Sequence, residues 1–382
     1  MHKFDVLVIG GGIVGLSAAL AMAQRDYSVA ILDAGALSAD TTDLSPRVYA
    51  INQASHILLQ DLGAWQFLET GRVSSYNKMY VWDAANGAHI DFDSRYIAEN
   101  SLGFIIEESV LKKALLEKVV SQKNISLFAN SSVDEVEESS DGISISAKDK
   151  VWQGNLLLIA DGAHSPTREK LHVKLNSWSY NQTALVANVK IENKHHQTAY
   201  QVFNSEGPLA FLPLVDEHHC SIVWSTTTER ATHLMALDDK AFNEELTKAF
   251  HTKLGQVEVS SKRYQFPLRM RHVNQYSGEH WLLLGDAAHT VHPLAGLGLN
   301  LGLADVSAWI DCISSKQSTP RQLKAYQRQR KHAVWQTILL LEGFKRLFGH
   351  TSKPISLLRG LGLSVCNQLK PLKRLFIEHA EK

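Results

Sequence analysis

Three acid–glycine clusters hold the residues that could do chemistry in this 382-residue chain. The first is Gly10-Gly11-Gly12-Ile13-Val14-Gly15, a G-x-G-x-x-G run, with Asp33 eighteen residues beyond Gly15. The second is Asp161-Gly162, followed closely by Ser165 and Arg168. The third, Gly285-Asp286, opens GDAAHTVHPLAGLGLNLGLADV, with further glycines at 296, 298 and 302. Glycine lacks a Cβ, so a ligand or a second backbone can come close to the main chain there. A helix that starts on such a turn offers free N–H groups and a partial positive charge to a phosphate. A carboxylate at the end of the next strand can accept from ribose hydroxyls. The chemistry implied is dinucleotide binding.

The elements around these clusters fit that reading. Residues 4–9 are short, β-branched and continuously apolar, as in a buried parallel strand. They run through the glycines into a helix over 16–24 and a second strand over 28–32, ending at Asp33. A lone glycine fingerprint is a weak signal, but in this strand–turn–helix–strand–acid context it is strong. Strand-like runs at 151–159 and 281–284 lead into the second and third clusters, and a helix is expected over 294–310. FAD and NAD both fit the first cluster. Three strand-terminal sites spread along the chain favour a longer cofactor that crosses several strand ends.

Together, the G-x-G-x-x-G, the Asp161-Gly162…Ser165…Arg168 motif and Gly285-Asp286 resemble the motif set of flavin-dependent aromatic monooxygenases. Segments 285–302, 103–116 and 207–214 (GPLAFLPL), with Arg47 in SPRVYAI and Leu62-Gly63-Ala64-Trp65, are similar to the ubiquinone-biosynthesis hydroxylases. The resemblance spans nearly the whole chain. It implies FAD as cofactor, with NAD(P)H and O2 as co-substrates. It also implies a prenylated phenol substrate, hydroxylated through a flavin hydroperoxide. By the same comparison Gly10, Gly12, Ile13, Val14, Gly15, Asp33, Arg47, Asp161, Gly162, Gly285, Asp286, Pro293, Gly296, Gly298, Leu299 and Asn300 face the cofactor. Pro293, His292 and Arg47 stand at the reacting end. Asp286 would bond the ribityl chain, and Leu299 and Asn300 would turn backbone amides to the flavin ring. Arg168 would pin its loop and assist NAD(P)H. Glu107 would open a helix over 109–119, where a first-turn acid suits the helix dipole. The chain departs from the family at Leu297, Glu108 and His164, where relatives carry Gln, Asn and Asn.

The expected fold is α/β: a Rossmann-type FAD-binding domain (1–72, 100–175 and 281–330), an inserted, mainly antiparallel substrate domain (73–99 and 176–280) and a C-terminal helical segment (331–382). Alternating runs at 183–191, 198–203, 209–214, 220–226 and 263–268, and a hairpin over 78–82 and 89–92, build the inserted sheet. Tyr200, Phe211, Pro213 and Trp224 are its candidate substrate-lining residues, with ordinary core as the alternative for each, because alternation does not say which face meets substrate.

Lys plus Arg and Asp plus Glu balance at 39 each, which gives no field for nucleic acid. Between Lys316 and Arg374, however, stand 13 basic residues and one acid, Glu342. Arg328, Arg330 and Lys331 belong to a basic helix that either solvates one face or meets a membrane surface or a biosynthetic complex. Three scattered cysteines form no CxxC pair, and the histidines show no metal-ligand spacing. Asp5 and the glycines break any export signal, so a reducing cytoplasm is expected, at the inner membrane surface if the basic segment docks. Alternative functions are hydroxylation of a soluble aromatic acid and a non-catalytic flavoprotein subunit.

Overall fold

The computed structural model describes residues 1–292, 296–313, 320–349 and 352–380. Pro293, expected at the reacting end, lies outside them. A sheet near the N-terminus runs in the order Ile125–Phe128, Val29–Leu32, His2–Ile9, Lys150–Ile159, with Trp281–Leu283 beside the last half of Lys150–Ile159. All of these pair in parallel. The antiparallel strands Glu135–Ser139 and Gly142–Ala147 extend the sheet beside the first half of Lys150–Ile159. Val6, Leu7 and Val8 have both faces covered, which explains the unbroken apolar run. The helix Ile13–Ala23 is nearly all buried: its alanines let it sit close to the sheet, to Glu108–Val120 and to Leu297–Cys312.

A second sheet runs in the order His289–Thr290, Tyr264–Val273, Leu175–Ile191, His219–Thr227, Gly207–Pro213, Thr198–Asn204, Lys78–Asp83, His89–Asp93. Every expected strand is present, and only the junction between Thr198–Asn204 and Lys78–Asp83 is parallel. The short strand His289–Thr290 leaves the third glycine cluster directly, so this sheet begins where the first one ends. A third, three-stranded sheet joins Val48–Ile51, Gly103–Glu107 and Val73–Tyr76. Val73–Tyr76 therefore pairs away from the large antiparallel sheet.

Alternation located the strands of the second sheet but not the face that meets the substrate. Phe211 and Trp224 are fully buried against the helical side, where Phe211 stacks on Phe250 at 3.7 Å, and Tyr200 packs edge-on to the same ring. Pro213 shares the parity of Phe211. The opposite face looks toward the three-stranded sheet: Ser221 Oγ donates to Pro46 O at 3.0 Å, and Leu212 packs in one cluster with Val48 and Ala50. The expected lining residues are thus core, because a period of two is satisfied equally by either face.

The C-terminus forms three helices, Pro320–Gly349, Lys353–Gln368 and Lys370–Ala380. The first crosses residue 330 without a break. Arg330, assigned from sequence to an exposed basic face, is buried in an ion pair with Asp305 at 2.5 Å. Arg359 and Lys373 are also buried, against Asp83 and Asp91. No described helix is long and apolar enough to cross a membrane.

Candidate functional site

Register places the key strand ends in one row. Ile9 lies opposite both Leu32 and Ile159, and Ile159 lies opposite Leu283. Main-chain bonds carry the alignment one residue further: Gly10 N donates to Leu32 O (2.8 Å), Ala160 N to Ile9 O (2.8 Å) and Leu284 N to Ile159 O (2.9 Å). Gly10, Asp33, Asp161 and Gly285 therefore emerge along one carboxyl edge of a parallel sheet, where ligands of such sheets sit.

The glycines along that edge have different jobs. A Cβ on Gly15 would strike the carbonyl oxygen of Gly10, and a Cβ on Gly10, at φ +105°, would strike that of Ala160. These two permit packing between helix and strands. At Gly12, Gly162 and Gly298 a Cβ would meet nothing within 4 Å. Those three leave backbone open to the cleft. In the third cluster Gly285 and Gly302 close on Val14, and Gly296, at φ +65°, is the left-handed residue that starts Leu297–Cys312. Ile13 and Val14 turn their side chains inward, so what they offer the cleft is the amide row of a helix start with no side-chain cap.

Asp33 accepts from Gly11 N (2.5 Å) and Gly35 N (2.7 Å), which fixes its carboxylate beside the first turn. Asp161 Oδ2 accepts from Thr167 N at 3.1 Å, while its Oδ1 is buried without a partner. Desolvation raises its pKa. Arg168 is buried and donates through Nη1 to Ala287 O (2.9 Å) and through Nη2 to Ala163 O (3.3 Å). It pins the second cluster to the third, as expected.

Asp286 is reached by solvent yet enclosed deeply enough that desolvation raises its pKa, against the pull of His289, Arg47 and Arg271. Accessible but desolvated is the signature of a group at the floor of a cleft. Among the described residues its carboxylate takes no hydrogen bond. Arg47 stands near it and pairs with Glu108 at 2.9 Å, half exposed, and Tyr49 Oη donates to Glu108 Oε1 at 3.4 Å. Burial holds the Tyr49 phenol well above its ordinary range. Asn300, expected to offer its backbone amide, also has a side-chain task. Its side chain clamps the start of its helix, with Nδ2 donating to Ala50 O (2.8 Å) and Gly296 O (3.1 Å), and Oδ1 accepting from Asn52 N (3.1 Å). Leu299 lies one residue before it, half-buried in the first turn of that helix.

His292 is buried, with Nε2 3.3 Å from Gln182 Oε1 and its ring edge-on to Tyr180 at 5.0 Å. Burial, with Lys345 nearby, lowers its pKa to about 4, so the ring is neutral at neutral pH. His289 pairs with Asp305 rather than with a metal, and no described group of three or more potential ligands could hold one.

Sequence reasoning missed two arrangements. Asp305, completely buried, accepts from Gly285 N (2.8 Å), from His289 Nε2 (2.8 Å) and from Arg330 Nε (2.5 Å). Glu107 precedes its helix rather than opening it. Its carboxylate accepts from Arg72 through two nitrogens at 2.6 Å each and from Ser45 N at 2.5 Å. Arg72 also donates to Thr41 O and Asp43 O, so the pair fastens the loop that carries Arg47. Partners 35, 25 and 16 residues apart leave no local pattern.

A family described as FAD binding domain matches residues 3–339. The chain is 31% identical to the 3-demethoxyubiquinol 3-hydroxylase of Escherichia coli (strain K12), across 98% of each chain. It is 30% identical to the mitochondrial ubiquinone biosynthesis monooxygenase COQ6 of Homo sapiens, across 99% of this chain and 92% of that one. Among solved structures, p-nitrophenol 4-monooxygenase PnpA from Pseudomonas putida DLL-E4 shares the fold at TM-score 0.82 and 17% identity, over 100% and 98% of the two chains. HpxO of Klebsiella pneumoniae, complexed with FAD and uric acid, shares it at 0.75 and 16%, over 98% and 96%.

Proposed function

The chain belongs to the FAD-binding family that includes the ubiquinone-biosynthesis hydroxylases, and from that premise we propose that it hydroxylates the ring of a prenylated phenol in ubiquinone biosynthesis, using FAD, NAD(P)H and O2. The observation that carries this reading is the row of strand ends. A cofactor of FAD's length fits an edge that offers, in strand order, the carboxylate of Asp33, the helix start at Gly12, the unpartnered Oδ1 of Asp161 and the floor carboxylate of Asp286. The open backbone at Gly12, Gly162 and Gly298 meets the same need.

In this reading the amides of Ile13, Val14 and Gly15 hold the pyrophosphate, Asp33 and Asp161 accept from hydroxyls, and Asp286 accepts from the ribityl chain. Gly298, Leu299 and Asn300 begin a helix whose positive end faces the flavin ring. When bound, FAD takes reducing equivalents from NAD(P)H and activates O2 for transfer to the phenol ring. The protein's own share is orientation and exclusion of water. Arg47, tied to Glu108, sets the charge at the cleft mouth. His292 stays neutral and braces the segment before Pro293, the third residue placed at the reacting end. The sheet face bearing Leu212, Ser221 and Val223 forms an apolar wall for the ring. Because a prenylated phenol is insoluble in water, the enzyme works at a membrane surface or in a complex that delivers it.

The test is NAD(P)H oxidation by the purified yellow protein, with and without a prenylated phenol, and mass analysis of the product. Stimulated oxidation with a product one oxygen heavier is expected. Oxidation indifferent to every phenol offered, with no oxygenated product, overturns the proposal.

A further inference from the structure

The helix Lys353–Gln368 is turned inside out. Arg359 is buried, its Nε 2.6 Å from Asp83 Oδ2, its Nη1 donating to Leu347 O at 2.6 Å and its guanidinium 5.1 Å from the Phe348 ring centroid. Asn367 accepts from Asp91 N at 3.0 Å, and Ser356 accepts from Asn86 through both its carbonyl and its hydroxyl. The helix thus holds onto the hairpin Lys78–Asp83/His89–Asp93 with its polar side. Outward it presents Leu357 (66% exposed), Leu358 (69%), Leu361 (64%) and Val365 (53%). From Pro354 to Gln368 no described exposed position is charged. The preceding helix adds Leu339, Leu340 and Leu347 over its last turns, all exposed. A helix in water buries its leucines and solvates its arginine. The reverse arrangement, pinned by the buried Arg359–Asp83 pair and by the hydrogen bonds of Ser356 and Asn367, presents leucines to an apolar medium.

The charge of the C-terminal segment selects the partner. Of the thirteen basic residues between Lys316 and Arg374, Arg330, Arg359 and Lys373 are themselves buried and paired with Asp305, Asp83 and Asp91. Those left exposed include Arg321, Lys324, Arg328, Lys331, Arg346 and Lys370, against Glu342 as the segment's single acid. A second copy seated on the face by twofold symmetry would set this positive segment against itself. An anionic bilayer surface offers both an acyl boundary for the leucines and phosphates for the cations. We propose that the outward face of Lys353–Gln368, continued by Leu339, Leu340 and Leu347, docks this protein onto anionic phospholipid. The inference deepens the membrane part of the functional reading and rests on it for its purpose, although the inverted helix stands without it.

The experiment is flotation of the flavin-loaded protein with vesicles of phosphatidylglycerol and phosphatidylcholine, or of phosphatidylcholine alone. Binding is expected on the anionic vesicles, weakening severalfold between 50 mM and 500 mM salt. The triple variant Leu357→Gln, Leu361→Gln, Val365→Thr should float at least tenfold less while keeping its flavin. Lys370→Glu with Arg346→Glu should lose the preference for anionic lipid. Equal flotation of the triple variant and the parent overturns the proposal. So does an oligomer in the parent that the triple variant dissociates, without vesicle binding in either, because the face then joins copies of the chain. Capture by a protein partner with no flotation overturns it too. Since the readout is flotation, failure of phenol hydroxylation leaves this result intact and identifies a failure of the functional reading instead.

Discussion

Asp286 and Asp305 stand at the two ends of one glycine-rich stretch and face opposite sides of the same turn. Asp305 is saturated by an amide, an imidazole and a guanidinium. Burial alone would push its pKa up, but His289 and Arg330 reverse that and hold it below the ordinary carboxylate range. Asp286 has no such partners, and desolvation leaves its pKa raised. The contrast separates two uses of an acid at one turn. Asp305 fixes the Gly285 amide, and through it the turn. Asp286 is left unpartnered on that turn, in a position to accept from a ligand. A site of this kind needs one acid to be structural so that its neighbour can be left open.

The largest effect that tests this division is on stability. Asp305→Ala should cost about 3–5 kcal/mol in denaturant unfolding of the apoprotein, the order expected when a buried pair loses one partner and strands Arg330. Asp286→Ala should leave apoprotein stability unchanged or raised, and instead weaken FAD by roughly 10- to 100-fold, the worth of a hydrogen bond to a charged group. Equal losses of fold in both variants, or equal flavin occupancy of Asp286→Ala and the parent, would break the comparison.

Acid titration of the apoprotein sharpens it. The folded pKa of Asp305 is depressed, so its stabilising share is present above the unfolded carboxylate value near 4 and is lost as pH falls further. Asp286 has the opposite sign. Its folded pKa is raised, so its ionisation opposes folding as pH rises through the carboxylate range, and Asp286→Asn should raise the apoprotein midpoint at pH 7. His292 adds a window of its own. Its folded pKa near 4 lies below the unfolded 6.5, so the unfolded chain binds more protons and stability falls on acidification from about 6.5 to 4. His292→Gln should flatten that part of the curve, which thermal unfolding across the pH range would measure.

The smallest effect expected is at the cleft mouth. Arg47 is paired to Glu108 with its side chain half exposed, and exposed pairs are worth about 0.2–1 kcal/mol. Glu108→Asn should release Arg47 and tighten FAD by no more than about fivefold, with the gain shrinking in salt. Flavin titrations at two ionic strengths decide it. Weaker binding in the variant would mean that Glu108 positions Arg47 rather than competing for it.

Legibility from sequence varied along the chain for reasons that particular residues make plain. The first strand, its glycine turn and the helix after it were readable because neighbours in sequence carry the whole signal: the apolar run Val6–Ile9, the packing glycines and the terminal Asp33 lie within thirty residues. The strand ends at Asp161 and Asp286 were readable for the same reason, each being an apolar run followed by small residues. The aromatic face of the second sheet stayed open between core and substrate wall, since alternation fixes parity and does not say which side is covered by the helix Asp239–Ala249. Arg330 was placed on the surface because a basic residue in a basic helix has no local sign of its buried acid 25 residues away.

By itself, the sequence determined that strands, turns and a cofactor edge would exist, and which residues stand at the strand ends. These properties depend on backbone conformation and on periodicity, both local. Only the tertiary structure decided which acids are saturated and which are open, that Arg168 joins two loops, and that one C-terminal helix faces its leucines outward. Those outcomes depend on desolvation and on partners brought together from distant parts of the chain, and a charge acquires its energy in a protein only from the groups that surround it after folding.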